Sequence, residues 1–268
     1  MTTKKNMAVF LLAAALCITA RAHALGEVYR FGIVPQQKLE ILTTLWPPLL
    51  AEVSRLSGVT LQFETAPSIS MFAARCREGT YDFIYTNPYL YVKEAQPAGY
   101  AAIARENIRL QGVLVALRAS PLRDIKDLKG LRLAFPSPEA YAATLLNKEA
   151  LAAAGLELER DNMVVSYLGS QDAAYDAVLQ GLADAAGGVP RTFDLLPDAL
   201  RSRLRVLHRT RSGVPHAIAA HRRVPRQEAQ KVAGALAALS SSDGGRLILK
   251  ALGMKRLIRA ADADWNEL

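Results

Sequence analysis

Tyr85, Thr86 and Asn87 crowd three hydrogen-bonding side chains into one turn, and similar residues recur along the chain: Gln36 and Gln37, Ser68 and Ser70, Ser137 and Tyr141, Ser170 and Gln171, Arg191, and His216. Nearly all are neutral donors, and most stand where a short apolar run gives way to a helical pattern. A helix N-terminus at such a point offers unpaired N–H groups and the positive end of its dipole, so hydroxyls and amides can complete the coordination of a tetrahedral oxyanion or a carboxylate. Each serine taken singly fits a plain helix cap, and it is their recurrence at successive strand ends that points to a shared site. Arg191 follows Gly187-Gly188-Val189-Pro190, where glycines let backbone approach a ligand and a guanidinium can pair with an anion bidentately. The plainer readings are a solvated arginine and, for His216, a packed or hinge histidine.

Motifs for bond-making chemistry are missing. There is no G-x-G-x-x-G, G-x-x-x-x-G-K-[ST], G-x-S-x-G, H-E-x-x-H or C-x-x-C. His208, His216 and His221 share one short stretch without a patterned cysteine or carboxylate cluster, so neither a metal nor a cofactor is expected. An enzyme would need a general base in the cleft, and only His216 qualifies.

The elements that hold these residues read as βα units, apolar runs alternating with helical-period segments. Val28 to Val34 is a strand, Leu39 to Leu56 a helix with Pro47-Pro48 near its start or at a kink, and Val59 to Glu64 a strand. Pro67 to Ser70 then opens a helix over Met71 to Glu78. Phe83-Ile84 fits a buried central strand running into Thr86-Asn87, with Pro88 at the first position of the next helix. Beyond Gln111 the strands are Gly112 to Leu117, Leu131 to Phe135, Met163 to Leu168 and Ala183 to Val189. Their helices start at Ser137-Pro138, Ser170 and Pro190. Leu204 to Leu207 is a strand, Arg211 to His216 a crossing, Ala217 to Ala220 a strand, and helices reach the C-terminus. A change near Gln111, with the polar connector Ser120 to Gly130 after Leu117, reads as a first crossing, and two crossings imply two lobes, with polar loops converging on a cleft between them.

Lys4 and Lys5 before the apolar run Met7 to Ala20, and Ala22-His23-Ala24 after it, predict a cleaved export signal over 1–24 and a periplasmic protein. Leu16 before Cys17 argues against lipidation. Cleavage would leave Cys76 as the one cysteine, so no internal disulfide is expected, and would remove three basic residues from the formal +8, leaving about +5. That mild excess suits anionic ligands. Arg201 to Arg226 is rich in arginine, but apolar strand residues interrupt it and no aromatic stacking pattern accompanies it, so nucleic acid is not expected.

Phe31-Gly32-Ile33-Val34-Pro35, Tyr81-Asp82-Phe83-Ile84-Tyr85-Thr86-Asn87-Pro88, Leu128-Lys129-Gly130 with Ala134-Phe135-Pro136, and Ala183-Asp184-Ala185-Ala186-Gly187-Gly188-Val189 occur in an order and spacing that resembles the phosphate/phosphite/phosphonate-binding proteins of ABC transporters. The resemblance implies an α/β, two-lobed type II periplasmic binding fold, each lobe a mostly parallel sheet flanked by helices. It places lobe one at 25–111 plus 213–268 and lobe two at 112–212. It also implies a monomer that captures a small anion and delivers it to a membrane permease, with a sensor feeding a histidine kinase as the alternative.

Position by position, Tyr85 is similar to the family's phosphonate-oxygen donor. A Ser-Thr-Ser run typical of phosphonate binders reads Ala140-Tyr141-Ala142 here, a tyrosine is replaced by Ile69 and a histidine by Ser170. Acidic residues that hold an ammonium group in aminophosphonate binders align with Arg191 and His216. Trading carboxylates for Arg and His removes any preference for a cationic substituent, and the loss of hydroxyls weakens the case for any phosphonate, which leaves phosphate, phosphite, a sulfonate or an organic carboxylate open.

Overall fold

Val28–Ile33 (β1) buries Tyr29, Phe31 and Ile33 on one side and lies parallel to Thr60–Thr65 (β2) and Phe83–Thr86 (β3) in the computed structural model, which describes residues 27–268. The signal segment expected at 1–24, with Cys17, lies outside the described residues. Phe31 pairs in register with both Phe63 and Phe83 and stacks on the Phe83 ring, which fixes the register by aromatic contact. Leu39–Ser57 (α1) lays Leu42, Trp46, Leu49, Leu50 and Val53 on this sheet. Pro47 and Pro48 sit inside the helix, and Gly58 closes it at φ +70° with its N–H on the Ser54 carbonyl.

Ile69–Arg77 (α2) is capped by the Ser68 hydroxyl, and Pro88–Leu90 (α3) by Asn87. Two further strands complete a six-stranded sheet in the order β11-β4-β10-β3-β1-β2: Tyr100–Glu106 (β4) and Ala217–His221 (β10), with Leu257–Arg259 (β11) at the edge. Neither β4 nor β11 is expected from the sequence pattern. β4 is built on alanines, and β11 is only three residues long, in a region that reads as helical.

The second sheet runs β7-β6-β8-β5-β9, from Val164–Tyr167 (β7), Arg132–Phe135 (β6), Ala185–Gly188 (β8), Leu110–Leu117 (β5) and Leu204–Gly213 (β9). Parallel pairing holds within the βα units, whereas β5, β9, β10 and β11 run antiparallel to their neighbours, so both sheets are mixed. β9 is longer than expected: Arg211 to Gly213 extend the strand, and the passage between sheets narrows to 214–216. The other passage is 107–109, and the connector Ser120 to Gly130, expected to cross between lobes, instead joins β5 to β6 within one sheet. Their flanking residues lie side by side, since Leu110 pairs with Gly213 and Arg105 with Ala217.

The helix expected to begin at Ser137-Pro138 begins at Tyr141, as a π-helical turn Tyr141–Leu145 that continues into Leu146–Ala153 (α4). The Ser137 hydroxyl accepts from the Glu139 N–H and donates to the Glu139 carboxylate instead of capping that helix. The turn packs directly on bare strand backbone. A Cβ at Gly112 would fall 2.1 Å from the Ala142 carbonyl oxygen, and one at Gly187 equally close to that of Ala143. Gly188 makes room for the Tyr175 hydroxyl. The close approach of Gly187-Gly188 is therefore to protein, where the sequence suggested a ligand.

Among the described residues no helix is long and apolar enough to cross a membrane, and no group of three His, Cys, Asp or Glu side chains is arranged to hold a metal ion.

Candidate functional site

Gln171–Leu179 (α5) and Pro190–Asp194 (α6) follow β7 and β8, and together with the Tyr141 turn they bring their N-terminal ends toward the carboxyl ends of β1 and β3. Hydrogen bonds tie the two sides of this cleft. The Gln171 N–H donates to the Gln36 carbonyl (3.0 Å), the Lys38 N–H to Asp172 (2.8 Å) and the Asn87 amide to the Glu139 carbonyl (3.3 Å). Lys38 also pairs with Asp176 at 2.7 Å.

At the centre, Tyr85 is fully buried between aromatic faces, with Trp46 at 4.6 Å and the His216 imidazole stacked at 4.9 Å and 11°. Arg191 reaches across from α6 and donates from Nη1 to the Tyr85 hydroxyl at 3.0 Å. Its Nη2 forms an ion pair with Glu106, the last residue of β4, whose side chain is 2% exposed against 16% for Arg191. Burial pushes the Tyr85 hydroxyl up to about 12, against the opposing pull of Arg191, so it stays protonated. Burial alone would lower the Arg191 guanidinium, but Tyr85 and Glu106 outweigh it and hold the group above its ordinary value.

His216 stands in the passage 214–216, 3% exposed. Burial, followed by the charge of Arg191, drives its pKa well below the usual histidine range, so the ring is uncharged. Neither ring nitrogen has a hydrogen-bond partner, and Glu106 Oε2, Arg191 Nε and Thr86 Oγ1 are equally buried and unpartnered. Buried polar atoms are nearly always paired, so this concentration marks a place built for something that binds.

Two spaces meet at His216. A cavity of about 20 Å³ is lined by Gln36, Asn87, Gln171, His216 and residues Ala140 to Ala143. The first N–H groups of the Tyr141 helix, which belong to residues lining this cavity, have no partner within the helix. A second space of about 290 Å³ lies on the side of the passages, between Ile108, Leu110, Val189 and Pro190, with Arg191 and His216 in its wall. A third, of about 470 Å³, forms the opposite mouth of the cleft between Gln37, Pro67 and Ser170.

Of the residues expected in the site, Gln36, Asn87, Tyr141, Gln171, Arg191 and His216 meet at these two inner spaces, and Tyr85 joins them through Arg191. Tyr141 lines the smaller of them. Its hydroxyl points to Gly213, where a Cβ would come within 2.4 Å. The Gln171 side chain is spent on the Val189 N–H (3.0 Å) and Thr192, and Thr86 pairs with Ala217 through its backbone while its hydroxyl has no partner. The hydroxyls of Ser68 and Ser170 are taken by the N–H groups of Met71 and Ala173, so they serve as caps. Sequence reasoning missed Glu106 and Trp46. The available signal was parity: in Tyr100-Ala102-Ala104-Glu106 the carboxylate falls on the inward face of a period-two pattern.

The model of a family described as ABC transporter, phosphonate, periplasmic substrate-binding protein matches residues 31–265. Among solved structures, PhnD1 from Prochlorococcus marinus in complex with methylphosphonate is similar at a TM-score of 0.81 and 20% identity, over 90% of this chain and 95% of that one. A binding protein component of an ABC phosphonate transporter from Pseudomonas aeruginosa is similar at 0.80 and 15%, over 90% and 83%. A Xanthomonas citri protein bound to chloride ion is similar at 0.68 and 18%, over 88% and 93%. No curated protein matches the chain.

Proposed function

The chain belongs to the phosphonate periplasmic substrate-binding family of ABC transporters, with its two-lobed α/β fold, and from that premise we propose that it captures a protonated oxyanion of phosphonate or phosphate type at the Tyr141 helix start and hands it to a membrane permease. The observation that carries this reading is His216, buried with both nitrogens unpartnered between that helix start and Arg191. A neutral imidazole offers one donor and one acceptor. The donor serves a phosphoryl oxygen, and the acceptor takes the proton of a P–OH group. Free N–H groups of the helix supply the remaining donors and the favourable dipole.

Formal charge at the site sums to zero, because Glu106 offsets Arg191 and His216 is neutral. The ligand is thus held by dipoles and hydrogen bonds. A cavity of about 20 Å³ admits roughly one water, so entry of an oxyanion requires the lobes to part. We assign that hinge to the passages 107–109 and 214–216, so that lobe one runs to 106 and resumes at 217 and lobe two spans 110–213, a few residues away from the division expected at 111/112 and 212/213. Export by a cleaved signal over 1–24, and action as a monomer, complete the reading.

Titration calorimetry with methylphosphonate, phosphate and methanesulfonate tests it. The native protein is expected to bind the first two and His216→Ala to bind them much more weakly. Absence of binding to all three would refute the proposal.

A further inference from the structure

Glu106 presents a chemical requirement of its own. Its carboxylate is walled in at the end of β4, one oxygen within reach of Arg191 and of the Tyr85 hydroxyl (3.5 Å), the other unpartnered. A carboxylate in that setting needs a cation beside it, because an unpaired buried charge is strongly unfavourable. The cation comes from the opposite sheet, and the fold makes room for it: Gly253, at φ +66°, lies so close to the Arg191 stem that a Cβ there would fall 2.7 Å from Cγ. Beyond the guanidinium, the space of about 290 Å³ is walled by Ile108, Leu110, Val189 and Pro190, with the exposed Arg109 and Asp194 at its edge.

We infer that Arg191 is a specificity-determining residue acting as a tethered cation: it occupies on Glu106 the position that an ammonium group of a ligand would take, so the native site accepts oxyanions whose substituent is uncharged. The inference rests on the oxyanion reading above and adds what discriminates among oxyanions. A ligand ammonium would meet a guanidinium already in place, and an apolar substituent meets the aliphatic wall.

Ethylphosphonate and 2-aminoethylphosphonate differ only in the amine and make the test. By calorimetry the native protein is expected to favour ethylphosphonate by about tenfold or more, the worth of one like-charge contact. Arg191→Ala, which bares the Glu106 carboxylate and frees space beside it, is expected to reverse the order. Adding Glu106→Gln to Arg191→Ala is expected to abolish the gain for the amine. Native protein that binds both phosphonates equally overturns the inference without recourse to a variant. So does a folded Arg191→Ala protein, checked by circular dichroism, that keeps the native order. Binding of neither phosphonate by the native protein removes the oxyanion reading itself, and with it the inference.

Discussion

Arg191 and Glu106 meet from opposite sheets, 85 residues apart in the chain, and their ion pair closes on the hydroxyl of Tyr85. The contact links the helix after β8 to the end of β4, so the closed cleft and the buried charges depend on each other.

Glu106→Gln leaves the Arg191 charge largely buried without its partner. Urea unfolding is expected to show a loss of about 3 kcal/mol, and Arg191→Met combined with Glu106→Gln to recover most of it, since removing both charges leaves neither stranded. A loss in the double variant equal to the sum of the losses in Glu106→Gln and Arg191→Met alone would mean that the pair is not coupled.

Tyr85→Phe keeps the ring between Trp46 and His216 but removes the oxygen that accepts from Arg191. Hydrogen bonds to charged groups are worth about 1.5–3 kcal/mol. The variant is expected to unfold at lower urea by a margin in that range while retaining its near-ultraviolet dichroism. An unchanged midpoint would show that the bond contributes nothing.

His216 binds a proton in the unfolded chain near pH 6.5 but resists one when folded. As pH falls below about 6.5, unfolding takes up a proton that the folded state does not, so stability drops by up to about 1.4 kcal/mol per pH unit. His221, also depressed by burial and by Arg223, acts in the same direction. Urea midpoints from pH 7.5 to 5 are expected to fall, and to fall less steeply in His216→Asn. Identical slopes would show that His216 is not the group resisting the proton.

Gly187→Ala places a methyl group against the Ala143 carbonyl and must shift the helix start that borders the anion cavity. A cost of about 1–3 kcal/mol and weaker methylphosphonate binding are expected together. Ser68→Ala and Ser170→Ala remove caps at about 1 kcal/mol each and are expected to leave affinity intact.

The Tyr81 to Tyr91 stretch was legible because a buried strand and a proline at the first helical position are both local signals, and each occurs where the spacing puts it, whereas the Asn87 cap between them is a finding of the structure. Arg191 and His216 were legible as cleft residues because each follows a strand end or a passage between sheets. What the sequence hid was tertiary. Alanines in β4 carry too little hydrophobic contrast to announce a strand, so nothing drew notice to Glu106. Ser137 carries the local signature of a cap, yet the chain delays its helix to Tyr141, where Gly112 and Gly187 let the backbone settle onto the sheet. Serines at strand ends look alike in sequence whether they hold a ligand or their own helix, and only the hydrogen bonds of Ser68 and Ser170 tell which.

A crystal structure of the native protein grown with methylphosphonate tests the central claim most directly. The account predicts phosphonate oxygens within hydrogen-bond distance of the backbone N–H groups at Tyr141 to Ala143 and of a His216 nitrogen, with Arg191 still on Glu106 and the methyl group turned toward Ile108 and Leu110. A cleft without phosphonate density, or a phosphonate bound away from His216, would contradict it.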